Sequence, residues 1–550
     1  MSKLKYLTVL LILILSGFYG MRVLAQVAQD WVSFYDGPEH REDYPKAMTL
    51  DSDGNIYVTG FSDGLTTGYD YVTIKYNSSG DSVWVRRYNN ALENGSDQAN
   101  AIVVDDSGNV YVTGSSTGYG TYGDFFTIKY NSAGDELWTQ RWDSDFHDGD
   151  GARDIVLDSF GNIFVTGSAY RGGNAWDAVT IKYNASGVEQ WVSLYSGQLG
   201  DFDQAYSIVL DNSGNTYVAG RCGENGYGEY LTIKYDSNGD TLWTKKYDGP
   251  ANGVDEAYSI ALDQSGNAYV TGRSLGNTSG YDYATIKYNP SGDTVWVRRY
   301  NGTANDIDEA YVVAVDGSGN VYVTGVSNQL GSSLDYLTIK YNSSGVEQWA
   351  KNYNGPGYAF DYPHAIVLDD FGNVYVTGES PGGSPSYTDF ATIKYNPDGN
   401  EQWVQRYNGT ASSNDYGRSI AVDNLGNVYV IGESGGTGTE YDYVTIKYSQ
   451  TPTGVYEIGN EIPENYQLHQ NYPNPFNPST TITCSIPNEE FVSLKVFNTL
   501  GEQVATLLNE TKPAGNYSFT FDASELTSGV YFYRLQAGEF SKTKKLLLQK

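Results

Sequence analysis

Cysteine, histidine and methionine are nearly absent from this chain, at 2, 4 and 3 of 550 residues. Cys222 and Cys484 fall in different segments, so no disulfide framework holds the chain together and each reads as a small buried residue. His40, His147, His364 and His469 share no metal-ligand spacing. No G-x-S-x-G elbow, Walker loop or Cys–His arrangement occurs, and no catalytic residue is assigned. Positive charge is scarce as well: 34 Lys and Arg against 66 Asp and Glu leave a net charge of −32. That balance argues against nucleic acid and anionic membrane surfaces as partners. Long apolar runs are missing except at the start, where Lys3 and Lys5 precede "YLTVLLILIL" (Tyr6–Leu15), too short for a membrane span. With "VLA" at Val23–Ala25, residues 1–25 read as a signal peptide cut between Ala25 and Gln26. The mature chain is expected to lack a transmembrane span and to reach the outside by way of the periplasm.

What is abundant is tyrosine, at 50 residues, and glycine, at 63. Both belong to a repeat. Trp31, Trp84, Trp138, Trp191, Trp243, Trp296, Trp349 and Trp403 lie 52 to 54 residues apart, and between them recur "GN-x-YVTG" and "TIKY". One unit reads as four strands: "AIVVD" (Ala101–Asp105), "NVYVTG" (Asn109–Gly114), "DFFTIKYN" (Asp124–Asn131) and "ELWTQRW" (Glu136–Trp142). A period near 50 with four strands is that of a propeller blade. The eighth unit stops at Tyr448 without a Trp strand, while a spare one, "DWVSFYDG", begins at Asp30. The expectation is an all-β, eight-bladed propeller over residues 26–448, its last blade completed by the N-terminal strand, which leaves no open edge.

The turns inside "DDSGN" and "NSAGD" are short and alike in every unit, so their face reads as architecture. The other two loops vary, and variable loops on a rigid scaffold are where ligands bind. Two repeated acids fall on that face. Asp43, Asp97, Asp150, Asp203, Asp255, Asp308, Asp361 and Asp415 precede the first strand. Asp70, Asp124, Asp177, Glu229, Asp282, Asp335, Asp389 and Asp442 lead the third. Such a rim offers oxygens to Ca²⁺, the one cofactor considered, but a residue present in every blade is better explained by locking its own loop. The lysine of "TIKY" (Lys75, Lys129, Lys182, Lys234, Lys287, Lys340, Lys394, Lys447) is expected to pair with one of these acids.

Across Trp31 to Tyr448 the pattern "D-x-x-GN-x-YVTG…TIKYN-x-x-G-x-x-x-W" resembles the bacterial SBBP-type β-propeller repeats. That family implies a cell-surface or extracellular protein and no particular reaction. The shape also resembles eight-bladed quinone-dependent dehydrogenases, but their adjacent cysteine pair is absent. After a linker at residues 449–465 the composition changes. Four alternating segments within residues 466–550 read as a small Ig-like β-sandwich. They open on Asn471, Tyr472, Pro473, Asn474, Pro475, Phe476, Asn477 and Pro478. This opening, "LKVFNTLGEQVATL" with Gly501, the stretch containing Gly515, Tyr517, Gly529 and Tyr531, and the tail at Lys544 and Lys545 resemble the type A C-terminal sorting domain of the type IX secretion system. The resemblance implies that machinery as partner and attachment to surface lipopolysaccharide. The sequence thus points to a secreted or surface-displayed scaffold with a glycan or protein ligand. A hydrolase or lyase with a carboxylate site, and an adhesive or surface-layer protein, are the other readings.

Overall fold

A computed structural model describes residues 26–451 and 466–549, apart from positions 65, 91–94, 173–174, 198–201, 225–226, 332, 358, 384–386, 410, 412, 437, 470, 472, 473, 475, 477, 524, 525 and 539. The expected signal peptide, with Ala25, lies outside the described residues, and Gln26 opens the first strand. The described residues form strands and turns, with no helix among them. They divide into two compact units, Val27–Gln450 and a second covering Thr451–Lys550.

In the first unit each repeat makes one four-stranded antiparallel sheet, and eight such sheets succeed one another. Asp43–Leu50, Ile56–Gly64, Gly68–Tyr76 and Ser82–Tyr88 are the first. The eighth takes its fourth strand from the N-terminus, where Gln26–Tyr35 pairs with Tyr441–Thr451. Each sheet's first strand lies beside the first strand of the next, and Asp415–Val422 of the eighth lies beside Asp43–Leu50 of the first. Apolar side chains from facing sheets fill the space between them. Where the series meets itself, Ile56, Val58 and Ile74 pack with Tyr429, Ile431 and Tyr443.

The short turns are built by one polar side chain each. In "DDSGN", Asp105 Oδ1 accepts the backbone N–H groups of Ser107 and Asn109 at 2.9 and 2.8 Å. Its Oδ2 accepts Asn109 Nδ2 at 2.8 Å and Tyr111 Oη at 3.1 Å. Burial opposes this charge, but the four donors outweigh it and hold the Asp105 carboxyl below the usual range. Gly108, at φ +75°, supplies the left-handed residue the turn requires. In "NSAGD", Asn131 Oδ1 plays the same part for Ala133 and Asp135.

Adjacent sheets are joined by a repeated device. The lysine ammonium and the tryptophan indole of one sheet converge on one carbonyl in the third-to-fourth turn of the next, except in the second sheet, where Lys129 alone reaches Ala185 O. Lys182 and Trp191 meet at Ser237 O (3.1 and 3.2 Å), Lys234 and Trp243 at Pro290 O (3.2 and 3.1 Å), and Lys340 and Trp349 at Pro397 O (both 3.0 Å). Each lysine also lies over the aromatic ring of its own second strand, as Lys75 does over Tyr57 at 5.0 Å. The expected ion pair between these lysines and the rim acids is not what forms. The acids sit at the opposite end of the sheet, and the carboxylates near Lys234 and Lys287 are those of the turn residues Asp211 and Asp263, at 3.6 and 3.8 Å. The turn glycine lies flat on the indole. A Cβ at Gly80 would stand 2.5 Å from Trp31 Cδ2.

The eighth sheet has no third-to-fourth turn, because its fourth strand comes from the other end of the chain. Gln450 Oε1 takes the place of the missing carbonyl, accepting from Lys394 at 2.5 Å and Trp403 at 3.4 Å. Ser449 and Gln450, read above as linker, therefore continue the strand. The series closes where Trp31 and Lys447 both donate to Ser78 O, at 3.2 and 3.5 Å.

The second unit pairs Gln467–Leu468, Ser479–Ile486 and Gly515–Asp522 in one sheet, and Gln503–Lys512, Glu490–Phe497, Gly529–Ala537 and Phe540–Leu548 in another. Its core includes Phe476, Ile482, Cys484, Leu494, Tyr533 and Leu546. Cys222 and Cys484 are both buried and neither is in a disulfide.

Trp31→Ala is expected to cost about 3–5 kcal/mol in a denaturant melt, since it empties the closing contact. Gln450→Ala removes an acceptor from two buried donors and should cost about 1–3 kcal/mol, with Gln450→Glu milder. Midpoints unchanged in both variants would contradict the closing role of these residues.

Candidate functional site

The rim acids are not an exposed rim. All eight of the first set are at most 3 % exposed. Each accepts a backbone N–H from the loop that leads into it: Gly37 to Asp43 (2.6 Å), Asn90 to Asp97 (2.9 Å), Ser144 to Asp150 (2.7 Å) and Gly197 to Asp203 (2.5 Å). The same bond runs from Gly249 to Asp255 (3.1 Å), Gly302 to Asp308 (2.6 Å), Gly355 to Asp361 (3.0 Å) and Gly409 to Asp415 (2.8 Å). Their geometry is that of loop locks.

The second set does something else. Asp70, Asp124, Asp282 and Asp389 are ion-paired at 2.7–2.9 Å with Arg87, Arg141, Arg299 and Arg406 of the fourth strand. Arg171 stands 3.5 Å from Asp177. Asp335 is buried, Glu229 half-buried, and Asp442 accepts from Thr439 Oγ1 at 3.0 Å. Where the eighth sheet meets the first, carboxylate oxygens of Asp36, Asp43 and Asp442 lie within 4.8 Å of one another. Asp36 also holds His40 Nδ1 at 2.5 Å.

A position the sequence reading passed over is more distinctive. Three residues after each first-set acid the strand bulges, and one residue drops out of the pairing register. The bulged residues are Lys46, Asn100, Arg153 and Tyr206 in the first four sheets. In the next four they are Tyr258, Tyr311, His364 and Arg418. They meet across successive sheets on the inner side of the series. Tyr206 and Tyr258 have ring centroids 6.0 Å apart, Tyr258 and Tyr311 6.2 Å. Arg153 lies over the Tyr206 ring at 5.3 Å, and Arg418 contacts His364 Nε2 at 3.2 Å. Asn100, Arg153, Tyr206 and Tyr258 line a cavity of about 500 Å³. The signal was in the sequence as variation within the repeat: this offset reads Lys, Asn, Arg, Tyr, Tyr, Tyr, His, Arg, and the one two before it reads Tyr, Gln, Gly, Gln, Glu, Glu, Tyr, Tyr.

The sorting motif has its own geometry. Asn471 N donates to Tyr533 Oη at 2.8 Å, and Asn474 Oδ1 accepts Leu547 N at 2.8 Å. Phe476 N donates to Leu547 O and Gln549 N to Phe476 O, so Asn474 and Phe476 lie against the strand that carries Lys544 and Lys545. Pro478 O accepts Ala523 N at 2.9 Å. Gly501, at φ +81°, closes a turn that Asn498 organises as Asn131 does. Gly515 and Gly529 open strands, and the hydroxyls of Tyr517 and Tyr531 bond back to Pro513 O and Thr527 O at 2.6 and 2.8 Å. Tyr472, Pro473, Pro475 and Asn477 lie outside the described residues.

Burial pushes the carboxyls of Asp43, Asp150, Asp255, Asp308, Asp361 and Asp415 up to about 6. A carboxyl raised on folding stabilises the fold at low pH, and that contribution is lost as pH rises through the folded value. Turn acids such as Asp105 and Asp263 are held below the usual range and act in the opposite sense, losing their contribution as pH falls through their depressed values. The melting temperature is therefore expected to rise by several degrees as pH is lowered from about 7.5 to about 5, and to fall again below about 4. A flat profile from pH 5 to 7.5 would contradict the assignment.

Residues 470–549 match the secretion system C-terminal sorting domain. Residues 39–65, 83–120, 247–278, 295–330, 348–383 and 402–438 match the beta-propeller repeat SBBP. The chain is 26% identical over 515 residues to an uncharacterized WD repeat-containing protein of Acanthamoeba polyphaga mimivirus, with 76% of this chain and 34% of that protein covered. It thus spans about a third of that relative's length. Among solved structures it is similar to PorZ, an essential bacterial surface component of the type IX secretion system of Porphyromonas gingivalis, at 14% identity and TM-score 0.27, covering 92% of this chain and 74% of that one. It is also similar to the β-propeller domain of the Trilobed protease of Pyrococcus furiosus, at 10% identity and TM-score 0.39, covering 70% and 98%. Among the described residues no helix is long and apolar enough to cross a membrane. The chain is a β-propeller repeat protein that carries the C-terminal sorting domain of type IX secretion and is destined for the cell surface or the medium.

Proposed function

We propose that residues 26–450 form a closed eight-bladed propeller that serves as a binding scaffold. Its signal peptide is residues 1–25, and residues 466–550 form an Ig-like sorting sandwich through which the protein is delivered to the surface and attached to lipopolysaccharide. The observation that carries the scaffold reading is the ring of bulged residues. The residue just before it stays Ala, Pro or Gly in every sheet, whereas this one takes five side-chain types over the eight sheets, and the residue two before it varies as well. A ligand held at the mouth of the ring meets a chemically varied set of side chains on a rigid frame, the ordinary condition for selective binding. Each acid of the first set gives one oxygen to a loop N–H, and Asp70, Asp124, Asp282 and Asp389 each give one to an arginine; these acids hold loops and strands, which favours binding over turnover. The ligand class at this level is a glycan or a protein.

Replacing Tyr206, Tyr258 and Tyr311 together by Ala should reduce retention on glycan or cell-surface arrays at least tenfold while the melting temperature stays within a few degrees. Undiminished retention would remove the ring from the binding surface. Removal of residues 464–550 is expected to trap the propeller in the periplasm, and continued release would overturn the export route. A divalent-cation chelator is expected to leave the melting temperature unchanged. A fall that Asp442→Asn abolishes would instead place calcium at Asp36, Asp43 and Asp442.

A further inference from the structure

Resting on the scaffold reading, we propose that the mouth of the ring binds an acidic saccharide, with a sugar face on the tyrosines and its carboxylate or sulfate on Arg153. Tyr206, Tyr258 and Tyr311 follow one another on three successive sheets, half-buried, each ring about 6 Å from the next. Their hydroxyls are tied to the residue two positions earlier: Tyr206 to Gln204 at 2.8 Å, Tyr258 to Glu256 at 2.7 Å, Tyr311 to Glu309 at 3.4 Å. The rings are thus held before any ligand arrives, and a rigid aromatic platform loses little entropy on binding. Neighbouring rings are inclined at 45° and 54°, so a pyranose lays its C–H face on one ring at a time, and the space of about 500 Å³ lined by Tyr206 and Tyr258 suits one or two sugar units.

The charge next to this platform selects the kind of sugar. Glu256 and Glu309 are already matched: Arg221 pairs with Glu256, and Arg273 bridges Glu256 and Glu309 at 2.8 and 2.9 Å. Arg153 is exposed and has no carboxylate partner among the described residues. Its guanidinium lies over the Tyr206 ring, which leaves the N–H edge free for two parallel bonds to a planar or tetrahedral oxyanion. In a chain of net charge −32 an unmatched arginine at the end of an aromatic row is a local inversion of the surrounding field. That field is screened beyond about 8 Å at physiological salt, so contact with Arg153 dominates once the ligand is seated. An acidic peptide would use the arginine but has no saturated ring to set against Tyr206 and Tyr258, and is the less favoured occupant.

The test is titration of the mature chain with an oligogalacturonate, a glucuronate-containing oligosaccharide, the methyl-esterified oligogalacturonate and a sulfated galactan fragment. The acidic probes are expected to bind at least tenfold more tightly than the ester, and the two anion types separate carboxylate from sulfate. Arg153→Gln should erase that difference without moving the melting temperature, Arg153→Lys should restore part of it, and Tyr258→Ala should weaken every saccharide. Equal affinity for acid and ester, or an unaltered preference in Arg153→Gln, overturns the anion assignment and spares the scaffold. Binding of peptides alone does the same. Absence of any ligand displaced by the tyrosine variants overturns both.

Discussion

A single carbonyl oxygen, shared between an ammonium and an indole N–H of the neighbouring sheet, is the contact on which the first unit rests. Lysine and tryptophan lie on different strands, yet both must reach one acceptor, so the third and fourth strands of a sheet are fixed relative to the turn of the next. The turn must offer its carbonyl while leaving room for the indole face, which explains a glycine where a Cβ would stand 2.5–2.9 Å from the ring. The lysine, with its charge over an aromatic ring and its hydrogens on a carbonyl, needs no carboxylate to lie between sheets. One local chemistry, repeated, orients neighbouring sheets; after the second sheet only the lysine half of it forms, with Lys129 on Ala185 O at 3.2 Å.

Much of this could be read in the repeat. The spacing of Trp31, Trp84 and their successors marks the sheets, and the spare Trp31 strand ahead of the first unit marks how the eighth is completed. The Asx turns follow from "DDSGN" alone, because Asp, Gly and Asn stand where a tight turn needs an acceptor, a left-handed residue and a donor. Partnership was harder to read. A lysine beside many aspartates suggested an ion pair, but which end of a strand faces which neighbour is a three-dimensional fact, and the acceptor is a backbone group with no identity in sequence. Gln450 was missed for a related reason: it substitutes for a main-chain atom.

The rim acids show the converse. Repetition in every sheet argued for a shared structural need, and the first set meets it as loop locks. Four of the second set, Asp70, Asp124, Asp282 and Asp389, proved to be tied to the fourth-strand arginine three residues after the tryptophan, a link between strands one residue type could not announce. The set of bulged residues was visible only as irregularity. A bulge lifts one residue out of the ladder, so nothing in sheet pairing constrains its side chain, and this offset varies while the residue just before it stays Ala, Pro or Gly.

The contact of Ser449 with Asp30 joins residues 419 positions apart. Neighbouring sheets meet over separations of some fifty residues, as Trp84 and Ser132 do at 48. Closing the longer loop costs about 2 kcal/mol more in chain entropy than closing the shorter one. The strand Gln26–Tyr35 is therefore the first of the propeller to be made and the last able to dock, waiting through the assembly of seven sheets for a partner at the far end. Until Tyr441–Thr451 is in place, the growing array presents an unpaired strand at one end and an open edge at the other. The time between synthesis and closure is the interval in which this protein most needs to be kept apart from copies of itself.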